Sequence, residues 1–146
     1  FFLRMTHEHS YYGYVVKIMK GSKMKTSSSE LEEANKIVPR IDISEGIERH
    51  KSGVSIFIDV RDGLEVKETG TIKGAIHIPR GFIEFAADPQ TDFHNNALQK
   101  DTDIVLFCGA GGMAALTGKT LLEMGYKKVY NVGSFSKWKD AGGPVE

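Results

Sequence analysis

Residues 104–116 constrain the fold of this chain more than any other stretch. Four apolar residues, Ile104-Val105-Leu106-Phe107, run directly into the only cysteine, Cys108, and predict a strand buried on both faces. A glycine-rich turn follows, and a helix begins after it. A sulfur at this point faces backbone N–H groups at a helix N-terminus, which attract anions and favour a thiolate. The stretch therefore predicts a strand–loop–helix unit with Cys108 as a candidate nucleophile.

Strands and helices alternate along the rest of the chain. Apolar, β-branched runs predict strands, whereas capping residues, prolines and glycines mark helix ends. We predict strands over residues 55–60, 75–78, 103–107 and 129–132, and a brief extended segment over 40–43. We predict helices over residues 29–38, 44–51 (capped by Ser44), 81–87 and 112–124, a helical turn over 65–68, and a last helix from Ser134 or Ser136 through Trp138. This order predicts an α/β fold of three layers, with a parallel sheet flanked by helices.

The composition excludes several classes of function. The 146 residues suffice for one domain, and 19 basic side chains balance 19 acidic ones. This balance gives no field that favours nucleic acid or an anionic membrane. No apolar run approaches the roughly 18 residues that a membrane span requires. One cysteine cannot form an internal disulfide, which is typical of a reducing compartment, so we predict a cytoplasmic protein.

The first 25 residues differ from the remainder. Their basic side chains outnumber the single acidic Glu8, and they show no helical apolar stripe. We predict that residues 1–25 form an arm, a tag or an interaction segment outside the core, and that residues 26–146 form the domain. Ser29-x-x-Glu32 then opens the first helix as a capping box. His7 and His9 lie in this arm without the further ligands that a metal site needs.

Four motifs, taken in order, resemble the rhodanese family of sulfurtransferase-like modules. Asp59-Val60-Arg61 closes the strand over residues 55–60, and Gly-Thr-Ile-Lys-Gly-Ala-Ile-His-Ile-Pro follows at residues 70–79. The Cys108 loop comes next, and residues 133–145 complete the order. The resemblance covers residues 40–146. It implies a five-stranded parallel sheet with the cysteine loop at the carboxyl ends of the strands.

The resemblance also implies a mechanism and a set of site residues. The cysteine thiolate takes a sulfane sulfur from a donor such as thiosulfate or a persulfide, and becomes a persulfide itself. It passes this sulfur to cyanide, to a thiol or to a partner protein, and it needs no cofactor or metal. Carried onto this chain, Cys108 is the nucleophile. The cradle for the transferred sulfur comprises Gly109, Ala110, Gly111, Gly112 and Met113.

The loop departs from the family pattern at its last position. The family commonly has an arginine there, followed by serine or threonine, whereas this chain has Met113 and Ala114. Thiosulfate is a dianion, and a charge-assisted pair with an arginine contributes roughly 1.5–3 kcal/mol. The loss predicts donor binding weaker by about one to two powers of ten. Arg80 follows a strand end and is the sequence's candidate for replacing part of this charge.

Other residues near the motifs have structural interpretations. Asp59 and Arg61 are predicted to pair or to tie down loops beside the site. His77 is predicted to form a local hydrogen bond, and Trp138 to pack in the core. Thr71 stands where the family usually has a histidine, and Ser134 stands where a second glycine is common.

Three functions remain open from the sequence. The first is a sulfurtransferase that works through a Cys108 persulfide. The second is a non-catalytic module that binds a protein or a small anion, and the third is a sulfur carrier loaded by a partner protein. A cysteine-dependent phosphatase is disfavoured, because it needs an arginine to clamp the phosphoryl group and no arginine follows Cys108.

Overall fold

Four parallel strands form the centre of the computed structural model, which describes residues 13–16, residue 19 and residues 24–146. The strands are β1 (Ser55–Asp59), β2 (Ile76–His77), β3 (Asp103–Cys108) and β4 (Lys128–Ser134). They lie in the order β2-β1-β3-β4, and all three pairings are parallel. The predicted parallel sheet is therefore confirmed, and Cys108 lies at the edge where the strands end.

The sheet has four strands, whereas the resemblance to the rhodanese family implied five. Beside β4, the chain forms only a single bridge between Arg40 and Asn131. The Ile41 N–H donates to the Asn131 carbonyl at 3.0 Å, and the Asn131 N–H donates to the Pro39 carbonyl at 2.9 Å. The pairing stops there because Asp42 already caps the next helix. The segment predicted as extended therefore contributes a bridge and not a strand.

Six helices and a 3-10 turn lie within residues 24–146. They are α1 (Ser27–Ile37), α2 (Ile43–Ser52), α3 (Gly63–Thr69), the 3-10 turn (Arg80–Phe82), α4 (Ile83–Ala87), α5 (Gly112–Glu123) and α6 (Phe135–Asp140). Each overlaps a segment that the sequence predicted as helical. Trp138 on α6 is fully buried, as predicted for a core residue.

Two predicted helix caps were wrong. The N-cap of α2 is Asp42 and not Ser44, because the Asp42 carboxylate accepts the Glu45 N–H at 2.9 Å and the Ser44 hydroxyl at 2.8 Å. These bonds hold the pKa of Asp42 below its usual range. The capping box of α1 lies one turn earlier than predicted, since the Thr26 and Ser29 side chains each accept the other residue's N–H.

The two faces of β3 belong to different cores, as the strand's period of two requires. Ile104 and Leu106 pack in the core that includes buried residues of α4 and α5. Val105 and Phe107 pack in the core that includes buried residues of α6 and partly buried residues of α2. Helices therefore cover both faces of the sheet, which confirms the three-layer prediction and explains why β3 is apolar without alternation.

Helix α5 lies close to strand β3 and to Val38 because one of its residues is a glycine. A Cβ atom at Gly118 would lie 2.8 Å from Val38 Cγ1 and 3.4 Å from Leu106 Cδ1. No larger side chain fits there without movement of Val38. The position of α5 matters for the site, because its first turn continues the loop that follows Cys108.

The chain falls into two units, Phe1–Glu30 and Leu31–Glu146. In the first unit, residues 13–16 are helical. The interpretations of residues 1–25, including His7 and His9, fall largely outside the described residues, so the boundary at residue 26 stays a prediction. Among the residues described, no helix is long and apolar enough to cross a bilayer.

Candidate functional site

The candidate site is the loop between β3 and α5. Cys108 ends β3 and is 2% exposed, whereas the next two residues of the loop are exposed. The N–H of Gly111 donates to Cys108 Sγ at 3.0 Å. This contact turns the loop back over the sulfur, so a negative charge on Sγ faces a backbone donor.

Further N–H groups follow at the first turn of α5. Within residues 24–146, the N–H groups of Gly112 and Met113 donate to no other protein group. This is the normal state of a helix N-terminus, where the first N–H groups have no intrahelical acceptor. The Met113 side chain is 41% exposed and brings no charge to the loop. The loop therefore offers an anion backbone dipoles, but no cation of its own.

Gly111 needs to be glycine for two reasons. Its φ is +104°, in the left-handed region that other residues rarely adopt. A Cβ atom at this position would also lie 2.5 Å from Arg40 Nη1 and 3.0 Å from Arg40 Cζ. The arginine that contacts the loop thus comes from the segment before α2, and no local sequence pattern indicates this proximity.

A buried amide ties the loop to β4. Asn131 Nδ2 donates to the Gly111 carbonyl at 2.9 Å, and Asn131 Oδ1 accepts the Gly133 N–H at 2.8 Å. Sequence reasoning missed this residue, although a polar side chain within the apolar strand over residues 129–132 was a visible signal. Asn131 is 1% exposed, so its two hydrogen bonds satisfy groups that water does not reach.

The end of β4 is irregular beside the loop. Leu106 pairs with Asn131 but Phe107 pairs with Gly133, so β4 carries one extra residue there. Gly133 has a φ of +90°, and a Cβ on it would lie 2.8 Å from Arg40 Cζ. The bulge therefore creates a second glycine surface, against which the same guanidinium packs.

Asp59 and Arg61 form a buried ion pair near the loop, with Nη2 and Oδ2 2.8 Å apart. Arg61 also donates to the Thr69 hydroxyl and to the Gly70 carbonyl, each at 2.8 Å. The Thr71 hydroxyl donates to Asp59 Oδ2 at 2.7 Å. Both charges are therefore satisfied within the protein, and the pair ties the end of β1 to the chain after α3.

A cavity of about 340 Å³ opens beside the loop and reaches Gly109. Glu65, Ser136 and Lys139 contribute polar groups to its wall, and Arg61 lies in the wall as well. Glu65 stands 3.8 Å from Arg61 Nη1 and is half exposed. A small polar donor or acceptor fits this volume next to the Cys108 loop.

Arg80, the residue that the sequence suggested as a replacement cation, is engaged elsewhere. It begins the 3-10 turn and forms an ion pair with Glu84 at 3.7 Å. The turn packs against α5. No hydrogen bond or ion pair joins Arg80 to the Cys108 loop in the part of the chain that the structure describes. His77 Nε2 lies 2.7 Å from the Arg61 carbonyl oxygen.

Known proteins resemble this chain in sequence and in structure. The chain is 30% identical over 96 residues to "Putative sulfur carrier protein YrkF" of Bacillus subtilis (strain 168), a match that covers 65% of this chain. The chain spans about half, 47%, of that relative's length.

Two solved structures extend the comparison. A protein of unknown function from Rhodopseudomonas palustris CGA009, described as a possible tyrosine phosphatase, matches with a TM-score of 0.79 and 35% identity, over 88% of this chain and 99% of that one. The polysulfide-sulfur transferase homodimer from Wolinella succinogenes matches with a TM-score of 0.65 and 25% identity, over 97% and 93% of the two chains.

The family model for the rhodanese-like domain matches residues 42–141, which span β1 to β4 and the whole Cys108 loop. This match, the parallel sheet between helices and the position of the cysteine loop agree with one another. The chain belongs to the rhodanese-like domain family.

Proposed function

We propose that this protein is a sulfurtransferase that carries a sulfane sulfur on Cys108. The observation that carries the proposal is the Gly111 N–H that donates to Cys108 Sγ at the carboxyl end of β3. In this proposal the N–H groups of Gly112 and Met113, which lack other protein acceptors within residues 24–146, hold the outer sulfur of the persulfide. A free thiol is required, which suits a reducing compartment such as the cytoplasm.

The proposed reaction has two steps, and each is balanced. With thiosulfate, the Cys108 thiolate attacks the outer sulfur, the bond between the two sulfurs of the donor breaks, and sulfite leaves with its electron pair. The product is the Cys108 persulfide anion. An acceptor then attacks the terminal sulfur and regenerates the thiolate, so that cyanide leaves as thiocyanate. Backbone N–H groups stabilise the negative charge on the terminal sulfur between the two steps.

Intact-mass spectrometry of the reduced protein tests the proposal. The protein is exposed to thiosulfate or, separately, to cysteine persulfide, and then to cyanide. We expect one added sulfur that cyanide removes, and none on the Cys108→Ser variant. Sulfur that persists on that variant would show that Cys108 is not the nucleophile. A reduced protein that takes sulfur from neither donor would favour a non-catalytic binding module.

A second candidate is a sulfur carrier that a partner protein loads. Met113 favours it, because the loop has no cation of its own for a dianionic donor, and the name of the Bacillus relative points the same way. The donors separate the two candidates. Loading by thiosulfate with repeated turnover to cyanide supports the enzyme, whereas loading by cysteine persulfide alone supports the carrier.

Phosphatase activity is disfavoured despite the description of the Rhodopseudomonas protein. No arginine follows Cys108, so the loop cannot clamp the three equatorial oxygens of a phosphoryl group in the usual way. We expect no Cys108-dependent hydrolysis of p-nitrophenyl phosphate. Hydrolysis that is lost in Cys108→Ser would overturn this assignment.

A further inference from the structure

We propose that Arg40 provides the positive charge at the Cys108 loop that Met113 does not provide. This inference rests on the proposed function of Cys108 as the carrier of an anionic sulfur. Arg40 lies before α2 and enters the site only through its pairing with β4. It is a positioning residue, which acts on the loop and its charge and is not assigned a role in bond formation.

The guanidinium packs against two glycines that frame the loop. A Cβ on Gly111 would lie 2.5 Å from its Nη1, and a Cβ on Gly133 would lie 2.8 Å from its Cζ. The guanidinium therefore occupies space that any side chain at either position would need. Gly111 is also the residue whose N–H donates to Cys108 Sγ. The same glycine therefore contacts both the guanidinium and the sulfur.

The Arg40 guanidinium has no ionic partner in the described structure. Within residues 24–146, its guanidinium takes part in no hydrogen bond or ion pair. Arg80 and Arg61, in contrast, are paired with Glu84 and Asp59. A guanidinium held beside a loop of backbone donors without a carboxylate partner is suited to attract an anion.

The surroundings of Arg40 are more positive than negative. A cavity of about 430 Å³ has Arg40, Lys137 and Ser134 in its wall. Asp42 is the acidic residue there, and its carboxylate already accepts the Glu45 N–H and the Ser44 hydroxyl. The wall of this cavity thus carries two positive charges and one negative charge.

The consequence is a preference for anionic reactants at Cys108. A cation near the loop lowers the free energy of a dianionic donor and of the terminal persulfide anion, relative to neutral species. It acts through space and through the position of Gly111, so it needs no direct contact with the donor. The loop can therefore lack an arginine and still favour anions.

Alkylation of Cys108 measures this preference without any sulfur transfer. The rate constants for iodoacetate, an anion, and for iodoacetamide, which is neutral, are compared on the same protein. Their ratio cancels changes in the thiolate fraction and in access to the sulfur. We expect Arg40→Gln to lower the iodoacetate-to-iodoacetamide ratio about fivefold, and Arg40→Lys to keep it within about twofold of the wild type.

Lys128→Gln is the matched control, because it removes one positive charge from the exposed start of β4. This residue lies at the amino ends of the strands, away from the Cys108 loop at their carboxyl ends. A ratio that is unchanged in Arg40→Gln, or that falls equally in Lys128→Gln, would overturn the inference. Arg40→Met provides a second neutral variant if Arg40→Gln does not fold. A protein that is never persulfidated but shows the expected ratios would lose the proposed function and keep the role of Arg40.

Discussion

Two arginines flank the Cys108 loop, and their surroundings differ completely. Arg61 is 2% exposed and directs its donors to Asp59, to the Thr69 hydroxyl and to the Gly70 carbonyl. Its guanidinium also lies over the Phe135 ring, with Cζ 4.5 Å from the ring centroid. Arg40 is exposed, its guanidinium packs against two glycines, and it has no ionic partner within residues 24–146.

This difference separates a structural charge from one that is free to act. A buried cation with every donor satisfied stabilises the fold only as long as its partners stay, and it has no capacity left for a ligand. An unpaired cation at the surface contributes little to stability but retains its field for a reactant. Nearness to the loop therefore does not distinguish the two roles, whereas the state of the donors does.

The largest expected effect follows from breaking the ion pair between Asp59 and Arg61. Arg61→Met leaves the Asp59 carboxylate buried without its cation, and we expect the free energy of unfolding to fall by about 3–5 kcal/mol. Urea denaturation followed by circular dichroism measures this loss. The double variant Asp59→Asn/Arg61→Met is the control, since it removes both charges and should regain at least about 1 kcal/mol. A loss below about 1 kcal/mol in Arg61→Met would show that the pair is not structural.

The next effect comes from restoring a cation to the loop itself. Met113→Arg should raise the rate of persulfide formation from thiosulfate by about one to two powers of ten, because a charge-assisted contact replaces a neutral side chain. Single-turnover kinetics with thiosulfate measure the gain, and cysteine persulfide serves as the less charged reference donor. An equal gain with both donors would mean that accessibility, and not charge, limits the wild-type loop.

A smaller effect tests the hydrogen bond from Thr71 to the carboxylate of the Asp59–Arg61 pair. Thr71→Val removes the hydroxyl that donates to Asp59 Oδ2, and we expect a loss of about 1 kcal/mol in the free energy of unfolding. Thr71→Ser keeps the donor and is the matched control. If Thr71→Val and Thr71→Ser lose equal stability, the methyl group, and not the hydrogen bond, is what matters at this position.

The smallest expected effect on stability belongs to the unpaired arginine. Arg40→Gln breaks no hydrogen bond or ion pair within residues 24–146, so we expect the free energy of unfolding to change by less than about 0.5 kcal/mol. Thermal and urea unfolding measure the change beside Arg61→Met. A loss comparable to that of Arg61→Met would place Arg40 in the structural class and remove the contrast between the two residues.

Local sequence was sufficient for most of the fold. Strand β3 is an almost unbroken apolar run, and helix α5 begins at Gly112, within the glycine-rich loop. Gly125, with a φ of +95°, follows the C-cap of this helix. The fold class followed from such local signals, and the family followed from the resemblance of four motifs in order. The fifth strand that the resemblance implied is reduced to one bridge, because Asp42 already caps the next helix. The N-cap predicted at Ser44 was wrong because the Asp42 carboxylate accepts the Glu45 N–H.

For the candidate site, too, some features follow from local sequence and others only from the tertiary structure. The sequence by itself determined that one thiol ends a buried strand and enters a glycine loop at a helix start, because strand, turn and helix propensities act over a few adjacent residues. Only the tertiary structure decided that Asn131 anchors that loop, that Arg80 pairs with Glu84, and that Arg40 lies against Gly111. These contacts join residues far apart in the chain, and they depend on strand order, on register and on the bulge in β4, which no local propensity specifies.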